Sequence, residues 1–578
     1  MVASTNTIQE QTKREEMIEE MTEQSWDHHY DVIVVGSGTG LFPSLLSAKQ
    51  GLSTLVVEKD KLFGGSTALS GGGMWMPGNS IALKSGAEDT RSRAETYLRA
   101  VVGDEGPEAR WQTHLDYAAK AVDAILANTD LKLIHMKEYA DYFSDHPGGS
   151  ATGRSVEPAP YDLNKLGDDR ELLQASGIAA PIPMPITGAD FKWMNLMTKR
   201  PDKASWRIAR RVAQGIGGMA LGKDYAAGGQ ALAASLLVSA RKAGVHLWNC
   251  TPLVDLVLEG DKVVGIVVER DGKEQWIKAN RAVILAAGGF DRDLDKRHEY
   301  QSTAIEAGWQ FGAKGNVGDT IDLAKKHGLD LTLLDKTWWF PGLKSPDPES
   351  PPMMALAERS LPGTLIVDGS GHRFFNESTD YMRAGEAILG LDDGEAPHLP
   401  AWLIFDNKFV KSYVMGGVKM PGMGIPKEWF DAGIAFKANG IEELGTTIGV
   451  ADLPGGVARF NELAAQGQDD DFGRGKTAYD RYYGDPTNTP NPNLRPLAKK
   501  GPYYAMKVVP GDLGTCGGLR ADETARVYKN DGTKMSNLYA IGNAAGNVFG
   551  GVYPGPGATI GQGITLGYAA VDDILAEH

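Results

Sequence analysis

The chain has 578 residues, 42% of them apolar, with 72 glycines and a net charge of −15 at pH 7. That length exceeds one hydrophobic core, so two or more domains are expected. The acidic balance argues against nucleic acid as a partner, and two cysteines, Cys250 and Cys516, support neither a disulfide framework nor a thiolate metal site.

Residues 1–27 form an N-terminal extension. Thr5 to Glu23 is polar and acidic, without the apolar centre of a signal peptide, so a cytoplasmic protein is the default expectation. No run of about 18 apolar residues occurs and no spanning helix is predicted. The histidines show no H-E-x-x-H spacing, so no metal site is predicted.

Asp31 to Val35 is an apolar run of strand length that enters Gly36-Ser37-Gly38-Thr39-Gly40. A helical segment to Gly51 and a second strand ending at Glu58 follow. Glycines in the tight turn let backbone approach a pyrophosphate at the helix N-terminus, and an acid at the second strand tip can hold ribose hydroxyls. The spacing is GxGxG rather than GxGxxG, and Pro43 falls in the first helical turn, where proline is tolerated. The loops Gly64-Gly65-Ser66-Thr67 and Ser70-Gly71-Gly72-Gly73 come directly after the second strand. Such loops bring amides against a ribityl chain and a flavin ring, which points to FAD rather than NAD.

From Leu172 to Gly222 the texture differs. Pro181, Pro183 and Pro185 precede Phe191, Trp193, Met194, Leu196 and Met197. Within 191–211 seven basic residues (Lys192, Lys199, Arg200, Lys203, Arg207, Arg210, Arg211) stand against one acid, Asp202. Two readings stay open, an interfacial membrane contact and a solvated charged lid. An alanine-rich helix is predicted after Gly228, strands over 245–269, a buried strand ending in Ala287-Gly288-Gly289, and a helix opening at Asp319. Beyond Trp338 prolines and aromatics increase. The expected architecture is α/β: a discontinuous Rossmann-like FAD-binding domain (28–340 and 500–578) with an inserted α+β catalytic domain (341–499).

Near the C-terminus, a short apolar strand runs into Gly542-Asn543, and Tyr553 is followed by Pro-Gly-Pro-Gly557 and a predicted helix start. A phenol beside bare backbone N–H groups suits a carbonyl oxygen whose neighbouring C–H is to become acidic.

The chain resembles the 3-ketosteroid Δ1-dehydrogenases, within the succinate dehydrogenase/fumarate reductase flavoprotein class. The resemblance rests on 51–59, 64–73, Asp141-Tyr142 ahead of Pro147-Gly-Gly149, 509–514 and Tyr553 to Gly557, and is weak over 172–222. It implies non-covalent FAD and a 3-ketosteroid substrate. It implies that Tyr553 and the Gly557 N–H polarise the C3 ketone, that Tyr381 takes the C2 proton and that Tyr142 hydrogen-bonds that base, with the C1 hydride leaving for the flavin. Lys59, Val254, Asp319, Ala558 and Ile560 complete the implied cofactor set. Tyr139 competes for the role of Tyr142.

A fumarate or succinate enzyme needs arginines that grip two carboxylates, and the corresponding loop reads Arg359-Ser-Leu-Pro-Gly363. The histidine of covalent flavin attachment is absent from 65–68. A 3-ketosteroid 4-dehydrogenase and a non-catalytic lipid carrier are further alternatives. Met74, Trp75, Met76, Trp338, Trp339, Phe340, Met353 and Met354 are candidate walls for an apolar substrate, and 172–222 can extend that pocket for a long side chain. No second nucleotide fingerprint is seen, which leaves a quinone-like electron acceptor as the expectation.

Overall fold

The computed structural model describes residues 26–177, 183–392, 394 and 396–577. The expectation for the leader before Trp26, and Pro181, lie outside the described residues.

An eight-stranded sheet carries the nucleotide-binding half. Its parallel core runs, in spatial order, His246–Trp248, Thr54–Val57, His28–Val35, Lys273–Leu285 and Lys534–Ala540. Val32, Ile33, Val34, Leu55, Val56, Val57, Val283 and Ile284 are buried, as strands covered on both faces require. Strands Leu253–Glu259 and Lys262–Arg270 add an antiparallel hairpin beside Lys273–Leu285. Helix Leu41–Lys49 follows the glycine turn and packs on helices Gly228–Lys242 and Ala558–Glu577. Pro43 is its third residue, where no intrahelical donor is lost.

A six-stranded antiparallel sheet forms the second unit. It runs Met353–Met354, Gly342–Leu343, Tyr503–Val509, Ala401–Asp406 and Thr364–Val367, with Ala435–Ala438 also on Tyr503–Val509. The expected return of the chain at residue 500 needs correction. Tyr503 to Val508 pair with Ala401–Asp406 and Val509 pairs with Gly342, so the second sheet extends to Val509. Its alternate residues Tyr504 and Met506 pack into the large core, while Tyr503 and Ala505 pack into a smaller one with Leu444, Leu453 and Phe460.

Among the described residues of 172–222 are helices Gly188–Asn195 and Pro201–Ala220. Several of its basic residues are not free. Arg211 donates to buried Asp190 at 2.6 Å, Arg207 lies 3.4 Å from the same carboxylate, and Arg200 pairs with Asp202 at 2.6 Å. Among the described residues no helix is long and apolar enough to cross a membrane.

Candidate active site

One cavity of about 870 Å³ runs from Glu58 and the glycine turn to Tyr381 and Tyr553. At the nucleotide end, Gly36 has φ +101°, and a Cβ there would lie 2.3 Å from the Ala286 carbonyl oxygen. Gly40 is equally tight against the Gly36 carbonyl, at 2.3 Å. Both positions accept only glycine, which is what a turn drawn close to a pyrophosphate needs. Around Gly65, by contrast, nothing lies closer than 3.9 Å to a notional Cβ, so its backbone faces open space. Glu58 accepts from the Ser37 amide at 3.0 Å and the Ser37 hydroxyl at 2.6 Å, and burial pushes its carboxyl up.

These features fit FAD: an acid at the second strand tip, a glycine turn and glycine-rich loops on the cavity surface, and a cavity that continues towards aromatic walls. Residues 36–39, 58, 59, 65–67, 70–73, 287, 288, 319, 542, 543 and 560 line it. Lys59 closes on Asp319 at 2.6 Å. Five expected cofactor residues stand behind the lining instead. Gly40 and Gly64 shape the turn and loop; Gly64 donates to the Ser37 hydroxyl at 2.9 Å. Gly289 abuts Thr515, and the Ala558 amide is taken by the Gly555 carbonyl at 3.2 Å. Val254 packs against an outer cluster with Val257, Val264 and Trp276, while its neighbour Leu253 lines the cavity. Sequence reasoning missed the loop 312–316. The Ala313 amide and the Asn316 side chain both donate to Ser66 Oγ, at 2.9 and 3.0 Å, which fastens this loop to the cofactor loop. Its Gly312-Ala-Lys-Gly315 pattern was the available signal. No histidine or cysteine is among the lining residues.

At the other end, Tyr381 is the first residue of helix Tyr381–Ile388. Asp380 caps that helix by accepting from Met382 and Arg383 amides, both at 3.1 Å. Buried Arg359 donates to the Glu377 and Thr379 carbonyls at 2.6 Å each, which fixes the approach to the helix. Gly385 permits close packing, since a Cβ there would sit 2.2 Å from Trp339 Cβ. Tyr381 thus comes from the inserted unit, and Tyr142, Tyr553 and Gly557 come from outside it.

The structure brings these residues together. The Tyr142 hydroxyl donates a short hydrogen bond to the Tyr381 hydroxyl. The ring centroids of Tyr142, Tyr381 and Tyr553 are 5.1–5.2 Å apart, pair by pair. Trp338 stands edge-on to Tyr553 at 4.6 Å and Phe340 against Tyr381 at 4.8 Å. Tyr142 is behind Tyr381 rather than on the cavity surface. Tyr139 instead stacks on Tyr482, with centroids 4.5 Å apart.

Burial raises the Tyr381 hydroxyl well above the ordinary phenol range, and the hydrogen bond from Tyr142 opposes that rise. Burial also raises Tyr553, opposed by hydrogen bonds from Tyr381, Thr559 and the Gly557 N–H. Tyr553 and the Gly557 amide are therefore neighbours, and both residues line the cavity.

The apolar walls are Met136, Met184, Ile186, Phe191, Phe340, Met354, Leu356 and Tyr483. Of the eight candidates named from sequence, only Phe340 and Met354 are lining residues. Trp75 is a core residue, stacked on His114 at 5.6 Å with its indole N–H donating to Asp141 at 2.8 Å. Its strand alternation carried no information about which buried face meets the cavity. The lining arginines, Arg170 and Arg292, are engaged with Asp224 and the Gly312 carbonyl. Arg359 is directed into the protein, so no guanidinium pair waits at the tyrosine end for a dicarboxylate.

The family model described as FAD binding domain matches residues 31–560. The chain is 42% identical over 559 residues to 3-oxosteroid 1-dehydrogenase of Mycolicibacterium smegmatis, covering 95% of this chain and 97% of that protein. It superposes with a TM-score of 0.88, at 35% identity, on 3-ketosteroid Δ1-dehydrogenase from Sterolibacterium denitrificans in complex with 1,4-androstadiene-3,17-dione, over 95% of this chain and 100% of that one. The 3-ketosteroid Δ4-(5α)-dehydrogenase of Rhodococcus jostii RHA1 shares the fold, with a TM-score of 0.65 and 22% identity over 96% and 98% of the two chains. A nucleotide cavity built for FAD, ending at three converging phenols, and full-length similarity to these enzymes lead to one assignment: the chain belongs to the FAD-dependent 3-oxosteroid 1-dehydrogenase family.

Proposed function

We propose that the protein introduces a C1–C2 double bond into a 3-ketosteroid, converting a 3-keto-4-ene to a 3-keto-1,4-diene. The observation that supports this is the placing of Tyr553 and Gly557 beside the Tyr381–Tyr142 pair, at the apolar end of the nucleotide cavity. Tyr553 and the Gly557 amide hydrogen-bond the C3 oxygen and stabilise the negative charge that develops there as C2 loses its proton. Tyr381 accepts that proton at its hydroxyl oxygen, and Tyr142 donates to the same oxygen, favouring the phenolate. FAD, when bound, supplies the acceptor for the hydrogen and electron pair leaving C1. The buried aromatic walls exclude water from the enolate. Anaerobic titration of the purified yellow protein with androst-4-ene-3,17-dione is expected to bleach the flavin and give a product lighter by one H₂. Desaturation of a saturated 3-ketosteroid at C4–C5 alone would replace this reading with a 4-dehydrogenase, and an unchanged spectrum would leave a carrier.

We further infer that the helix Pro201–Ala220 rests on an anionic bilayer and that the stretch before it serves the substrate. Trp206, Ile216, Met219 and Leu221 are 72%, 53%, 58% and 78% exposed, large apolar side chains left in solvent on a helix that also exposes Lys203 and Arg210. Residues 183–188 and Phe191 line the cavity, so one segment joins a greasy outer face to the pocket wall. A substrate with a long apolar side chain would meet that wall, and a quinone-like acceptor is the class such a surface meets. Each basic residue near an anionic surface contributes about 1 kcal/mol. The protein is expected to co-sediment with anionic vesicles at low salt, to be released at high salt, and to lose binding in Trp206→Ser/Leu221→Ser. Failure to bind at any salt removes the bilayer from the proposal.

A further inference from the structure

The N–H offered by Gly557 belongs to the peptide unit whose carbonyl is that of Pro556. This unit is trans. A trans peptide is planar, with its C=O and N–H pointing in opposite directions, so whatever holds the oxygen aims the hydrogen. Ser155 Oγ donates to the Pro556 carbonyl oxygen at 2.7 Å, and both groups are buried. Ser155 is itself fixed. It begins strand Ser155–Pro158, pairs with Trp75, and its carbonyl accepts from the Met136 amide at 2.9 Å.

The Pro554–Gly555 peptide, two before it, is held by other groups. The Pro554 carbonyl accepts from Tyr97 Oη at 2.6 Å and from the Tyr142 amide at 3.2 Å. The turn has no slack to reorient by itself. A Cβ on Gly555 would lie 2.4 Å from Trp75 Cδ1, and one on Gly557 would lie 2.1 Å from the Gly73 carbonyl oxygen. Among these contacts, the hydrogen bond from Ser155 is the one on the amide that faces the ketone.

We propose that Ser155 is a positioning residue for the dehydrogenation, acting through the Pro556–Gly557 peptide. It aims the Gly557 N–H at the C3 oxygen. By drawing charge towards the Pro556 oxygen it also makes that N–H a stronger donor, since linked hydrogen bonds polarise one another. Ser155 does not line the cavity and touches no reacting atom. The inference rests on the reading of Gly557 as a ketone donor.

The test uses the full-length, FAD-loaded protein and compares Ser155→Ala, Ser155→Cys and Tyr553→Phe. Steady-state kcat and KM are measured separately. Affinity is measured for a steroid with a phenolic A ring, whose phenolate imitates the enolate, by protein fluorescence without turnover. Loss of a whole donor costs about 10²–10³ in kcat, and misaiming one is expected to cost Ser155→Ala about tenfold. KM should stay within about twofold, and affinity for the phenolic steroid should fall in parallel with kcat. Ser155→Cys, which keeps a weak donor, should lie between. If Ser155→Ala keeps native kcat and phenol affinity while Tyr553→Phe loses both, the role of Ser155 is overturned and the proposed function stands. If Tyr553→Phe also keeps them, both readings fall. Should Ser155→Ala lose FAD or stability, Ser155→Cys decides: a selective drop in kcat at native Tm supports the proposal, and native kcat overturns it.

Discussion

Tyr381→Phe is expected to lower kcat by about 10²–10⁴, the range attributed to a positioned general base. KM should change little, because the ring and its contact with Phe340 survive. The pH dependence carries the sharper information. Burial holds the Tyr381 hydroxyl well above the ordinary phenol range, so the phenolate is the minor form at neutral pH. A base acts in its deprotonated form. The rate should therefore climb about tenfold per pH unit through the alkaline range, without a plateau near neutrality. Tyr142 donates to the Tyr381 oxygen, and removing that bond raises the Tyr381 pKa further. Tyr142→Phe should keep the same rising slope and lower the rate at every pH. A pH-independent rate from neutral to alkaline conditions would contradict Tyr381 as the base.

Tyr553→Phe is expected to lower kcat by about 10²–10³, equivalent to about 2.7–4 kcal/mol of transition-state stabilisation. On the proposed reading the phenol is one of two donors to the ketone, and the Gly557 amide remains, so residual activity should be measurable. The loss should fall on kcat, since the ground-state ketone needs the donor less than the enolate does. Affinity for the phenolic steroid should drop with it, and the FAD content should not. Equal losses in KM and none in kcat would mean that Tyr553 only holds the substrate.

The sequence made the nucleotide half legible because each of its signals is local. Runs of buried valine and isoleucine, the glycine turn and Glu58 lie within one short stretch and need no tertiary information. The tyrosines were a different case. Tyr142, Tyr381 and Tyr553 are far apart along the chain; the Pro-Gly-Pro-Gly turn marked Tyr553, but only the resemblance singled out Tyr381 and Tyr142 from the other phenols, with Tyr139 left as a competitor. Distance and packing separate the two: Tyr142 reaches Tyr381, while Tyr139 stacks on Tyr482. The apolar walls were not legible, because a buried tryptophan such as Trp75 satisfies core and cavity patterns alike. The strand boundary at 503–509 was missed for a similar reason. Pro502 and the aromatics after it mark a new strand without saying which sheet it joins. In 172–222 the count of basic residues overstated the surface charge, since Asp190 draws Arg207 and Arg211 inward.

The contact between Gly557 and the Gly73 carbonyl has one more implication. Residues 71–73 and Gly557 line one cavity; on the proposed reading the first meet the cofactor and the second the substrate, so the two ligands would share a wall one peptide thick. Any displacement of that wall by one occupant is felt by the other, and coupling of this kind must be mutual. The steroid then retains the dinucleotide by the same factor with which the dinucleotide organises the steroid pocket, and a chain stripped of its prosthetic group should be a poor receptor for its own substrate.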